Sequence, residues 1–206
     1  MSHAVDVSVI VPFSDDEEVV GRLARRIARH LQSLRLEFEL LFVDEGASDN
    51  SVALLGWLGK HELPQLRLSS AEPGRGFASA SGQARGRVLW LVDLEHADTP
   101  LSAFAWAHSR LLEDHADVVI VSRRFVVARR ARTWSALEGL RGRGDAFETR
   151  LRRRARFRGL RVEGALGDYH THPVPARPGP SGPERAALWA RVRGLYAPAP
   201  SRKRQS

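Results

Sequence analysis

The sequence predicts an α/β fold, a mostly parallel sheet flanked by helices on both faces. Short apolar runs of strand length alternate with segments of helical periodicity, the links between them are brief, and polar residues gather just after the runs. The run 5–11 is rich in valine and stops at Pro12, as a buried strand does. Ser14 or Asp15 is placed to cap a helix whose inward stripe is Val19, Leu23, Ile27 and Leu31, and the acidic stretch 15–18 suits its N-terminus. Segment 38–43 reads as the second strand and 48–59 as a helix with Val52, Leu55 and Leu58 inward. A short strand at 66–68 is followed by the turn Gly74-Arg75-Gly76 and a small-residue helix over 77–84. The run 88–92 is a strand ending at Asp93, Pro100 opens a helix reaching about Asp114, and 118–121 is a fifth strand.

Beyond residue 125 the pattern loosens. Segment 129–143 predicts a loop or an exposed helix, 146–157 a helix, and 160–162 an edge strand. The Pro/Gly-rich stretch 173–183 predicts irregular chain, 186–195 a short helix, and the last six residues a basic tail. The expected division is 1–125, a reduced segment 126–172, and a basic, irregular C-terminal extension over 173–206.

Composition narrows the chemistry. No cysteine is present, which excludes disulfides and thiolate metal sites and leaves carboxylates and histidines as donors, the set preferred by Mg²⁺ or Mn²⁺. The N-terminus lacks the pattern of a signal peptide and no apolar run reaches the length of a membrane span, so the sequence predicts a cytoplasmic protein. The net charge of +8 is unevenly held: residues 121–206 carry 21 Lys+Arg against 6 Asp+Glu, and residues 1–120 carry 11 against 18. An acidic half joined to a basic one points to a ligand site in the first and an anionic contact in the second. Nucleic acid is a poor fit, because aromatic and basic residues are not interleaved as base-stacking surfaces require.

In parallel α/β sheets, ligands bind beyond the carboxyl ends of the strands. The residues expected there are Ser14, Asp15 and Asp16, then Asp44 and Glu45, then Arg75, then Asp93 and Glu95. Such crowding of carboxylates requires offsetting positive charge or hydrogen-bond donors, and predicts a metal–nucleotide site.

The order of these landmarks resembles that of family 2 glycosyltransferases with the GT-A fold. The residues that carry it are 7–12, the segment Phe42-Val43-Asp44-Glu45-Gly46-Ala47-Ser48-Asp49, the Gly74-Arg75-Gly76 turn and Asp93-Leu94-Glu95. Segment 116–123, and more faintly 145–148 with 158–162, is similar to the polyprenyl-phosphate, or dolichol-phosphate mannose synthase-like, branch. The resemblance implies that 1–125 is a nucleotide-sugar-binding half and 126–172 a shortened acceptor side. It implies that Pro12, Phe13, Ser14, Asp44 and Glu45 embrace the nucleoside, that Arg75 meets phosphate, and that Asp93 and Glu95 stand in for the Asp-x-Asp pair holding ribose and the divalent ion. Glu148 is the nearest candidate for a catalytic base. The chain departs from the family pattern at Glu45, Ala47 and Glu95, and in the shortness of the segment between Ser122 and Asp145.

Other features stay open between two readings. His170 and His172 are either a donor to the metal or part of a surface loop. The arginines of 150–158 are either a solvated helix face or a contact with anionic lipid, a membrane surface or a protein partner. Two functions follow: transfer of a sugar from a UDP- or GDP-sugar, aided by Mg²⁺ or Mn²⁺, or a catalytically inactive relative that binds a partner through its arginine-rich half.

Overall fold

In the computed structural model, residues 5–94, 101–122 and 125–164 are described. Along the chain they form β1 (Val7–Phe13), α1 (Glu17–Ser33), β2 (Phe38–Asp44), α2 (Ser51–His61), β3 (Leu66–Ser70), α3 (Gly76–Gln83) and β4 (Val88–Val92). There follow α4 (Ser102–Leu112), β5 (Val118–Ser122), β6 (Phe125–Arg129), α5 (Arg130–Leu137), α6 (Gly144–Phe157) and β7 (Val162–Glu163). The strands make one sheet in the order β3-β2-β1-β4-β6-β5-β7. All pairings are parallel except those of β6, which lies antiparallel between β4 and β5.

The valine-rich β1 is buried along its whole length because it is covered on both faces. Ile10, Leu41, Leu89 and Leu91 meet Phe77, Leu137, Phe147 and Leu151 of the α3–α5–α6 layer. On the other side α1 offers Leu23, Ile27 and Leu31, all buried, as its four-residue spacing predicts. That side also holds an aromatic cluster: Trp90 stacks on Phe104 with ring centroids 4.4 Å apart, and Phe125 and His30 abut the indole at 5.1 and 6.5 Å.

The amino edge of the sheet is sealed by buried carboxylates held by arginine. Glu39, 1% exposed, accepts from the Ser8 hydroxyl (2.6 Å), the Arg85 N–H (2.6 Å), the Arg85 guanidinium (2.9 Å) and Arg67 (3.0 Å). Burial pushes its carboxyl upward, but these donors outweigh it and hold the group below its usual range. Asp117 is held likewise by Arg161 and Arg132.

Two expectations change. Segment 129–143 is neither a loop nor a single exposed helix: β6 precedes it, α5 opens it, and Thr133, Ala136 and Leu137 are buried. Val52 is 38% exposed, because α2 begins at Ser51 and points Leu55 and Leu58 inward instead. The expected edge strand at 160–162 is β7, centred slightly later. His170, His172, the Pro/Gly-rich stretch, the helix expected at 186–195 and the basic tail lie outside the described residues.

Candidate functional site

Three strand ends and two helix starts converge at the carboxyl edge. β1 and β2 finish in register, Phe13 opposite Asp44, and the Glu45 N–H donates to the Phe13 carbonyl at 2.9 Å. β4 finishes alongside β1 and delivers Asp93, which is 2% exposed. Pro12, Phe13, Ser14, Asp44, Glu45, Arg75 and Asp93 are thus gathered on one edge. Glu95 lies outside the described residues.

The two loops after β1 and β2 clasp each other through side-chain carboxylates. Asp15 accepts from the Ser48 N–H (2.7 Å) and hydroxyl (3.0 Å). Those donors, the Ser48 N–H first, hold its carboxyl below the ordinary range. Asp49 accepts from the N–H of Ser51 and of Glu17, both at 2.9 Å, and its carboxyl is also lowered, chiefly by Ser51. The cap expected from Ser14 or Asp15 therefore reaches α1 from the opposite loop: Asp49 takes the Glu17 N–H. Asp44 closes its own turn, accepting from Gly46 (2.9 Å) and Ala47 (2.7 Å). Backbone donors thus offset much of the crowding expected to call for a cation.

Glu45 is the pivot of the edge. Its Oε1 accepts from the Gly76 N–H at 2.6 Å, at the first turn of α3, and its Oε2 accepts from the Arg143 guanidinium at 2.6 and 3.0 Å. Only glycine fits at position 76, since a Cβ there would sit 2.6 Å from the Glu45 Oε1 and 2.7 Å from the Pro12 Cβ. The Gly142 N–H donates to the Gly74 carbonyl at 2.6 Å, tying the loop before α6 to the turn before α3. Arg75 stands at the N-cap of α3 and Arg143 at the N-cap of α6. Sequence reasoning missed Arg143, although Gly142-Arg143-Gly144 repeats the Gly74-Arg75-Gly76 pattern ahead of a helix.

Beside Arg75 opens a cavity of about 350 Å³ lined by Ala71, Glu72, Ser79, Glu138 and Leu140 among others. Arg75 is half-buried and 3.2 Å from Glu72. Phe13 turns its ring into the core against Phe42, centroids 6.3 Å apart, so only its backbone and Ser14 face the edge. Glu148, 8% exposed, is paired at 2.8 Å with Arg152, which also reaches the Gly164 carbonyl. Arg152 thereby ties it to the residue just after β7. Among the described residues, no group of three or more His, Asp or Glu side chains is arranged to hold a metal.

The fold and the edge define a GT-A-type α/β protein. No family model matches the chain. An uncharacterized glycosyltransferase of Bacillus subtilis, YkcC, is 27% identical over 106 residues, which are 48% of this chain and 32% of that protein. The matched part therefore spans about a third of this curated relative's length. The glucosyl-3-phosphoglycerate synthase of Mycobacterium tuberculosis superposes with a TM-score of 0.58 at 15% identity, covering 93% of this chain and 79% of its own. The mannosyltransferase PcManGT of Pyrobaculum calidifontis, solved with GDP-Man and Mn²⁺, superposes with a TM-score of 0.56 at 17% identity, covering 80% and 55%. The fold is that of GT-A glycosyltransferases.

Proposed function

We propose that the carboxyl edge binds a UDP- or GDP-sugar and that the chain serves glycosyl transfer. The observation that carries this reading is the convergence of Asp44, Glu45, Arg75 and Asp93, from the ends of β2 and β4 and the start of α3, on the edge where parallel α/β sheets take ligands. A structural neighbour that holds GDP-Man and Mn²⁺ on the same fold supports it.

In this reading Ser14 and Asp44 face the nucleoside, and Glu45 acts through Arg143 and Gly76 to hold the edge rigid. Arg75 meets a phosphate oxygen, offering a fixed fork of N–H donors to a charge that grows as the sugar leaves. Asp93 and Glu95 are hard oxygen donors of the kind Mg²⁺ or Mn²⁺ takes, and Mg²⁺ is commonly held by one or two carboxylates together with substrate phosphates. A divalent ion there supplies charge neutralisation at the leaving diphosphate.

A second reading has its own observation. Glu148, the nearest candidate base, is buried and neutralised by Arg152, which favours a GT-A protein that binds the donor without turning it over. Thermal unfolding with a panel of UDP and GDP sugars, in Mn²⁺ and in EDTA, tests the binding common to both. A ligand present at a hundredfold its Kd stabilises by about 2.7 kcal/mol, a rise of several degrees. Absence of any shift across the panel counts against both. Release of free UDP or GDP from the stabilising sugar then separates them.

A further inference from the structure

We propose that the outer face of α6 docks the protein on an anionic phospholipid bilayer, an inference independent of the glycosyl-transfer reading. α6 packs inward through Phe147, Leu151 and Ala155, with the Glu148–Arg152 pair beside them. Thr149, Arg150, Arg153, Arg156 and Phe157, three or four residues apart, fall on the opposite, exposed face. Phe157 is 90% exposed, far more than the next large apolar side chain among the described residues, Trp57, at 51%. Arg153, Arg156 and Arg158 make no side-chain hydrogen bond or ion pair among the described residues. The helix offers that face no carboxylate beyond Asp145 in its first turn, since Glu148 is buried.

An aromatic ring left in water beside unpaired guanidinium groups is costly on its own and matched to a headgroup layer. The ring enters the acyl boundary while the arginines stay level with phosphate. At about 1.5 Å per residue the face from Thr149 to Phe157 offers roughly 12 Å of such contact. Charge argues against the other occupants. Residues 165–206 hold seven basic and two acidic residues, and a second copy brings the same net +8. A single ring is a poor platform for single-stranded nucleic acid, which stacks successive bases. The fitting partner is an extended anionic surface with an apolar layer beneath it.

The test is co-sedimentation of the full chain with phosphatidylcholine vesicles, with and without roughly one-third phosphatidylglycerol, at about 0.15 M salt. The expected result is binding to the anionic vesicles that falls steeply with added salt and is weak on phosphatidylcholine alone. Each arginine contributes about fivefold, so Arg153→Gln and Arg156→Gln together weaken partitioning on the order of twentyfold. Phe157→Ser weakens it several-fold in all salts, and Phe157→Trp adds emission that shifts to the blue on the anionic vesicles. These side chains face solvent, so the variants keep the wild-type circular dichroism. Wild-type protein that stays in the supernatant overturns the proposal. So do α6 variants that bind like wild type, which would move the contact to the basic tail, and a preference for single-stranded RNA over the vesicles.

Discussion

Glu45 and Arg143, 98 positions apart, form a partly buried ion pair in which one carboxylate oxygen takes two N–H bonds while the other takes the first N–H of α3. This contact joins the acidic half of the sequence to its basic half at the functional edge. Arg143→Ala leaves Glu45 buried and half-satisfied, and is expected to cost about 3 kcal/mol in urea unfolding. Arg143→Lys retains part of that. Replacing the pair together, Glu45→Gln with Arg143→Met, recovers most of it, because neither charge is then stranded. A double-variant loss equal to the sum of those from Glu45→Gln and Arg143→Met alone would show that the two groups are not coupled.

Glycine is required where backbones nearly touch. A Cβ at Gly86 would overlap the Ser8 backbone nitrogen and lie 2.7 Å from the Ser8 Oγ, which the Gly86 N–H itself contacts. Gly86→Ala is expected to destabilise by more than about 2 kcal/mol, with damage to the Glu39 network. Gly139, with open space around it and φ of +70°, loses only about 1 kcal/mol on Gly139→Ala. Thermal unfolding of the two variants side by side checks the order, and a larger loss at Gly139 would contradict it.

Acid acts in two windows. His108 is buried at 3% exposure against Phe104, and desolvation lowers it from 6.5 to about 4. Its neutral form is therefore favoured by folding. Between about pH 6.5 and 4 the unfolded chain binds a proton that the folded chain refuses, so stability falls with pH across that window, by up to ~3 kcal/mol. Glu39 and Asp117 have folded values below 4.5 and 3.8 respectively. Their contribution is present above those unfolded values and lost as pH falls through the folded ones. Denaturant titrations from pH 7 to 3 should show both losses in wild type and a smaller upper one in His108→Leu, where His30, also lowered by desolvation, still contributes. A His108→Leu curve parallel to wild type between pH 6.5 and 4 would refute the assignment.

Much of this was legible because it depends on local pattern. Val7–Phe13 and Val88–Val92 read as strands since each is apolar on both sides, which only a two-faced sheet satisfies. β6 is not among the expected elements, because the basic segment is read from 129 and the apolar run 125–128 before it is left unassigned. Two apolar runs, 118–121 and 125–128, split by Arg123-Arg124 carry the signature of a hairpin, which is what β5 and β6 form. At the edge, the placement of Asp44 and Asp93 is legible because one ends a strand and the other follows one. The tasks of Asp15, Asp49 and Glu45 are not, since each carboxylate reaches a donor more than thirty residues away. Glu148 reads in sequence as a candidate base, and its burial beside Arg152 is not legible there.

The most direct test of the central claim is calorimetric titration of UDP, GDP and their sugar conjugates, with Mn²⁺ and then with EDTA, into wild type and Asp93→Ala. The expected result is micromolar binding of one nucleotide series, lost in EDTA and weakened at least about tenfold by the substitution, equivalent to 1.4 kcal/mol or more. No heat from any nucleotide with well-folded protein, or binding indifferent to both EDTA and Asp93, would contradict a donor site at the carboxyl edge.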